Sequence, residues 1–216
     1  MKLLKYIFVL SCLFTHSCRK KEKEVNSLIM GKIILIDPGH GGKDNGASYD
    51  NVLEDEINLK IGLILYKKLL ENGCFSLITR NADYDLSSMY DSNHKVKDLN
   101  NRIKMINDNM VDLFISLHLN SYSSSNVTGA QVFYQNNEES KKFASILQKE
   151  MNKLYLKQRK EKNGDFYILN KSKRNGVLVE MGFLSSPLDR EKLLNIEYQN
   201  KIANTIYNSI KIYFDE

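Results

Sequence analysis

His40 and His118 each follow a short apolar run. Ile33-Ile34-Leu35-Ile36-Asp37-Pro38-Gly39 leads into His40, and Leu113-Phe114-Ile115-Ser116-Leu117 leads into His118. A third run, Val177-Leu178-Val179, ends in Glu180, and Glu54 opens a helical pattern after the first histidine's loop. Two imidazoles and a carboxylate make a three-ligand set for zinc, with a fourth position open to water. Such an ion brings the pKa of bound water towards neutrality. A further carboxylate nearby would serve as general base and then protonate a leaving amine. Each residue also has a plainer role when taken alone. Either histidine can be a satisfied structural residue, Glu54 a helix-terminal carboxylate, and Glu180 the buried partner of a base. Only their meeting at one place would favour the metal chemistry.

The elements that must bring them together are legible. Aliphatic, largely β-branched runs read as strands buried on both faces. Pro38-Gly39 stops the first, over residues 32–37, and a loop rich in glycine and asparagine follows, with Gly39, Gly41, Gly42, Asn45 and Gly46. Residues 54–72 read as a helix, since Ile57, Ile61, Ile64, Leu65 and Leu69 recur at helical spacing before Asn72-Gly73. Strands follow at 75–79, 112–118, 129–134 and 177–180, with a short one at 166–169. Further helices are expected at 97–109, 138–154 and 197–214. Strands alternating with helices predict a single α/β domain, with a mostly parallel central sheet flanked by helices on both faces. In such a sheet, strand carboxyl ends and helix amino ends share one edge, so His40, His118, Glu180 and Glu54 can line one cleft.

Composition narrows the classes. The net charge of +5 over 216 residues suits a solvated surface, or weak attraction to an anionic one such as a membrane or a wall polymer. No basic, aromatic-interleaved motif points to nucleic acid. Lys2 and Lys5 flank the apolar run Tyr6 to Phe14, and Ser17-Cys18 follows, as in a secretory signal over residues 1–18. Cys18 is then a candidate lipidated first residue. Ser11-Cys12 is a rival cleavage site, and an uncleaved anchor is the other reading. The charged stretch within residues 19–30 reads as a flexible tether, and 31–216 as the catalytic domain. Cys74, the cysteine left in that domain, reads as a buried small hydrophobe.

Four blocks carry a family resemblance. They are Ile36-Asp37-Pro38-Gly39-His40-Gly41-Gly42, Glu54-Asp55-Glu56-Ile57-Asn58-Leu59, Phe114-Ile115-Ser116-Leu117-His118-Leu119-Asn120-Ser121, and Val177-Leu178-Val179-Glu180-Met181-Gly182-Phe183-Leu184-Ser185. In this order, over roughly residues 31–213, the chain resembles the zinc-dependent N-acetylmuramoyl-L-alanine amidases of bacterial cell walls. The resemblance implies Zn²⁺ on His40, Glu54 and His118, with the Asn58-Leu59 register selecting Glu54 over Glu56. It implies Glu180 as the catalytic carboxylate and peptidoglycan as substrate. Arg102 and Thr79-Arg80 match family positions, and Asn120 and Arg80 are expected to help bind substrate. Asn175-Gly176, Leu119 and Ser186 depart from the usual pattern, which bears on cleft shape. Residues 81–96 are too short for the inserted helix with which some members block their own site. The expectation is therefore an exported monomer of the periplasm or cell envelope with an open cleft. A zinc peptidase acting on another amide, or a non-catalytic wall-binding lipoprotein, are the alternatives.

Overall fold

The computed structural model describes residues 29–215. The expected signal, Cys18 and the tether up to residue 28 lie outside the described residues. The packed domain begins earlier than residue 31, because Ile29 is fully buried in the core and Gly31 N donates to Gly73 O.

In chain order the elements are β1 (Ile33–Pro38), β2 (Ser48–Tyr49), β3 (Val52–Leu53), α1 (Glu54–Glu71), β4 (Phe75–Ile78), α2 (His94–Asp108) and β5 (Leu113–Asn120). There follow β6 (Gln131–Tyr134), α3 (Glu138–Asn152), β7 (Lys162–Asn163), α4 (Tyr167–Lys171), β8 (Gly176–Phe183), α5 (Pro187–Leu194) and α6 (Ile196–Asp215). Six strands form one sheet in the order β4-β1-β5-β8-β6-β7. The four strands from β4 to β8 run parallel, and β6 runs antiparallel to β8. The fold is therefore the expected single α/β domain with a mostly parallel sheet.

Period-2 alternation divides the strand side chains between two cores. Ile34, Ile36, Ile115, Leu117, Val177 and Val179 face α1, α3 and α6. Leu35, Phe114 and Leu178 face α2 and α4 in a smaller cluster with Ile103, Ile106, Ile168 and Leu169. Continuing the same alternation, Asp37, Ser116, His118 and Glu180 fall on the α2–α4 side. Polar residues thus replace apolar ones on that face as each strand nears its carboxyl end.

Two expectations are corrected. The stretch 166–169 is not a strand: Phe166 precedes the short helix α4, closed by Asn170 N donating to Phe166 O. Only Ile168 and Leu169 of that helix are buried, so one face suffices to anchor it. Helix α5 was not expected, although Ser186 caps it by accepting from Asp189 N and Pro187 occupies its first turn. Between β4 and α2, residues 81–93 contain no helix, leaving the adjoining cleft free of an inserted one.

Candidate metal centre and cleft

Each side chain is delivered by a different element. His40 lies two residues beyond β1, at φ 62°. That left-handed backbone costs a residue with a Cβ of the order of 1 kcal/mol or more and needs surrounding contacts to hold it. His118 sits within β5, which runs on to Asn120, and Glu180 stands opposite it in register on β8. Glu54 is the first residue of α1. It is not a helix cap: its carboxylate accepts from Ala47 N at 2.8 Å and from Leu119 N at 3.0 Å, both outside the helix. The N-terminus of α1 is instead covered by the loop, with Glu54 N donating to Ala47 O and Asp55 N to Asn45 O.

The three groups converge. Glu54 Oε1 lies 3.3 Å from His40 Nε2 and 3.0 Å from His118 Nδ1. One ligand atom from each of the three lies within 4.8 Å of the others. The far nitrogen of His40, Nδ1, faces Asp44 Oδ2 at 3.1 Å. A carboxylate on the outer nitrogen of a ligating imidazole fixes ring orientation and tautomer. The packing is close enough to require glycine at two points. A Cβ on Gly39 would stand 2.2 Å from the His118 ring, and one on Gly46, at φ +68°, would stand 2.6 Å from Glu54 Oε2.

Electrostatics favour positive charge among these donors. Burial alone would lower the His40 pKa, but hydrogen bonds and charge from Glu54 and Asp44 outweigh it and raise it to about 9. Burial acts upward on Glu54, yet the two imidazoles hold its carboxyl well below the usual range. Two imidazoles and an ionised carboxylate around one point fit a divalent ion that takes nitrogen and oxygen ligands.

Glu180 lies in the same cleft with different surroundings. Among the described residues its buried Oε2 has no hydrogen-bond partner, which counts against the reading of a satisfied structural carboxylate. Burial pushes the carboxyl up to about 7, with Glu54's charge adding and the His118 and His40 rings opposing. A carboxyl near neutrality can both take and give a proton at working pH.

The cleft of about 370 Å³ is lined by His40, Glu54, His118, Asn120 and Glu180, with Leu99, Phe166 and Tyr167 on its apolar side. Asn120 is therefore at the cleft wall. Arg80 is not. It is fully buried behind the site, and its guanidinium donates to the carbonyls of Pro38, Gly39, Asp55 and Ala82. Sequence reasoning missed Asp44, whose spacing of four from His40 was the available signal. It also missed the α4 wall, because a four-residue apolar run does not distinguish strand from helix.

Residues 34–212 match the family model described as N-acetylmuramoyl-L-alanine amidase. The germination-specific N-acetylmuramoyl-L-alanine amidase of Bacillus subtilis (strain 168) is 38% identical over 194 residues, covering 87% of this chain and 82% of that protein. The N-acetylmuramoyl-L-alanine amidase LytC of the same organism is 30% identical over 199 residues, 90% of this chain but 38% of LytC. Among solved structures, the CwlD amidase from Clostridioides difficile, in complex with the GerS lipoprotein, superposes with a TM-score of 0.82 at 32% identity. That likeness covers 86% of this chain and 99% of the other.

Proposed function

The chain belongs to the N-acetylmuramoyl-L-alanine amidase family, and from that premise we propose that it hydrolyses the amide joining N-acetylmuramic acid to L-alanine in peptidoglycan. His40, Glu54 and His118 would hold Zn²⁺, since a His₂–carboxylate set suits that ion. Zinc held there supplies a Lewis acid for the scissile carbonyl and a water of lowered pKa. Glu180 takes a proton from the attacking water and delivers it to the departing alanine nitrogen. The C–N bond breaks and a C–O bond forms, leaving a lactyl carboxylate and a free amino terminus. Asn120 contacts the substrate from the cleft wall. Arg80 supports the site from behind. The observation that carries this reading is the unpartnered Glu180 Oε2 in the same cleft as three converging metal donors.

The substrate implies the compartment. We take residues 1–18 as an export signal, 19–28 as tether and Cys18 as the candidate lipid anchor, leaving a monomeric domain at the cell envelope. No described helix is long and apolar enough to cross a membrane. The test is mass spectrometry of products released from purified peptidoglycan, with zinc and with a chelator. Stem peptides beginning at L-alanine, released only with zinc, are expected. Fragments cut within the peptide would mean a zinc peptidase instead. Capture on the wall with no release would mean a binding protein.

A further inference from the structure

Two arginines with almost no solvent exposure lie directly behind the metal donors. Arg80 follows β4 and Arg102 belongs to α2, and they rank among the largest fully buried side chains of the described residues. Arg102 has carboxylate partners: Asp37 Oδ1 at 2.7 Å and Asp98 Oδ2 at 2.8 Å. The bonds of Arg80 go to carbonyl oxygens instead. Burial and the neighbouring Arg102 charge both act against the Arg80 cation, with the Asp55, Asp37 and Asp83 charges opposing them. An apolar side chain in its place would leave those carbonyls without that donor.

What the two guanidiniums hold is specific. Pro38 O accepts from Arg80 Nε at 2.9 Å and from Arg102 Nη1 at 2.8 Å. Gly39 O accepts from Arg80 Nη2 at 3.0 Å, and His40 O accepts from Arg102 Nη2 at 2.6 Å. Three successive carbonyls ending at the left-handed His40 are thereby fixed in direction. The same groups reach the other donors. Arg80 Nη2 also donates to Asp55 O at 2.7 Å, the residue after Glu54. Asp37, paired with Arg102, accepts from Ser116 Oγ at 2.6 Å, two residues before His118.

We propose that Arg80 and Arg102 are positioning residues for the metal site: together they lock His40 in its left-handed backbone and set its separation from Glu54 and His118. The role rests on the metal-binding reading above. It requires the planar fork of arginine, whose three nitrogens reach carbonyls set apart from one another, where a lysine ammonium donates from a single atom. Arg80→Lys and Arg102→Lys keep the charge and remove the fork.

The experiment compares the whole protein with each variant. Zinc affinity is measured by competition with a chromophoric chelator, and the visible spectrum is recorded with cobalt in place of zinc. Thermal unfolding of the metal-free protein is followed in parallel. Each variant is expected to bind zinc about tenfold or more weakly, as removal of outer-shell support does, and to show an altered cobalt spectrum with native far-UV circular dichroism. Unchanged affinity and spectrum with only a lowered melting temperature would overturn the proposal. So would failure of both variants to fold, since the arginines would then be holding the domain and not the site. A wild-type protein that binds no zinc would fail at the earlier step, before any variant is compared, and would remove the metal reading itself.

Discussion

The α1 side of the cleft surrounds its carboxylate with donors, whereas the β8 side leaves its carboxylate bare. Glu54 receives the amides of Ala47 and Leu119 and faces two imidazoles. Glu180, opposite His118 on the neighbouring strand, has a buried Oε2 with no partner among the described residues. The consequence is opposite acidity: Glu54 is held far below the ordinary carboxylate range, and Glu180 is lifted to about 7. A metal ligand must stay ionised in a fixed orientation, while a general base must change its protonation state in every turnover. The imidazoles beside Glu54 and the burial of Glu180 thus suit two residues of one type to the two different roles proposed for them.

The largest test of that division is to remove a donor from the saturated side. His40→Ala is expected to reduce bound zinc to background by elemental analysis and to abolish release of stem peptides. Stoichiometric zinc in this variant would break the comparison at its base. On the bare side the outcome should differ in kind. Glu180→Gln should retain zinc while kcat falls by about 10²- to 10⁴-fold, the range for loss of a general acid–base group. If zinc were lost together with turnover, Glu180 would belong with the ligands.

Behind the saturated side the expected effect is on stability. Asp37 is fully buried among Arg102, Ser116 and Thr79. Burial pushes its carboxyl up, but the Arg102 charge and three sets of hydrogen bonds hold it below the usual value. A carboxyl whose folded pKa lies below its unfolded one contributes stability that is fully present above the unfolded pKa. That contribution is lost as pH falls through the folded pKa. Asp37→Asn should therefore cost about 3–5 kcal/mol at pH 7 in urea unfolding, as loss of one member of a buried pair does. It should also flatten the fall in wild-type stability below about pH 4. A cost under about 1 kcal/mol would show that the ligand side does not depend on this ion pair.

The division was only half visible in the sequence. Strands β1, β5 and β8 were legible because a strand buried on both faces must be aliphatic nearly throughout, and few other segments are. Helix α1 was legible from its period, and the four site residues from their places at the ends of these elements. Hydrogen-bond supply was not legible. The donors to Glu54 come from backbone at residues 47 and 119, 72 residues apart in the chain, and backbone amides leave no mark in a sequence. Arg80 misled for a related reason: an arginine after a strand looks like a substrate contact until tertiary packing buries it under four carbonyls. Helix α4 failed because four apolar residues have no period to read. Helix α5, by contrast, carried its cap and its proline in plain view.

Asn120 tests where the two sides meet. It ends β5, two residues beyond His118, and it pairs in register with Phe183, three residues beyond Glu180. It is half-buried at the cleft wall and spends its Oδ1 on Ser121 N at 2.8 Å. It lines the same cleft as His118 and Glu180, where its amide is expected to donate to a substrate carbonyl. One neutral hydrogen bond contributes about 0.5–1.5 kcal/mol, so Asn120→Ala should raise KM by roughly two- to tenfold. Zinc content and kcat should stay close to wild type. A fall in kcat of a hundredfold or more with KM unchanged would instead move Asn120 to the bare side, as a group acting beside Glu180 on the reacting atoms.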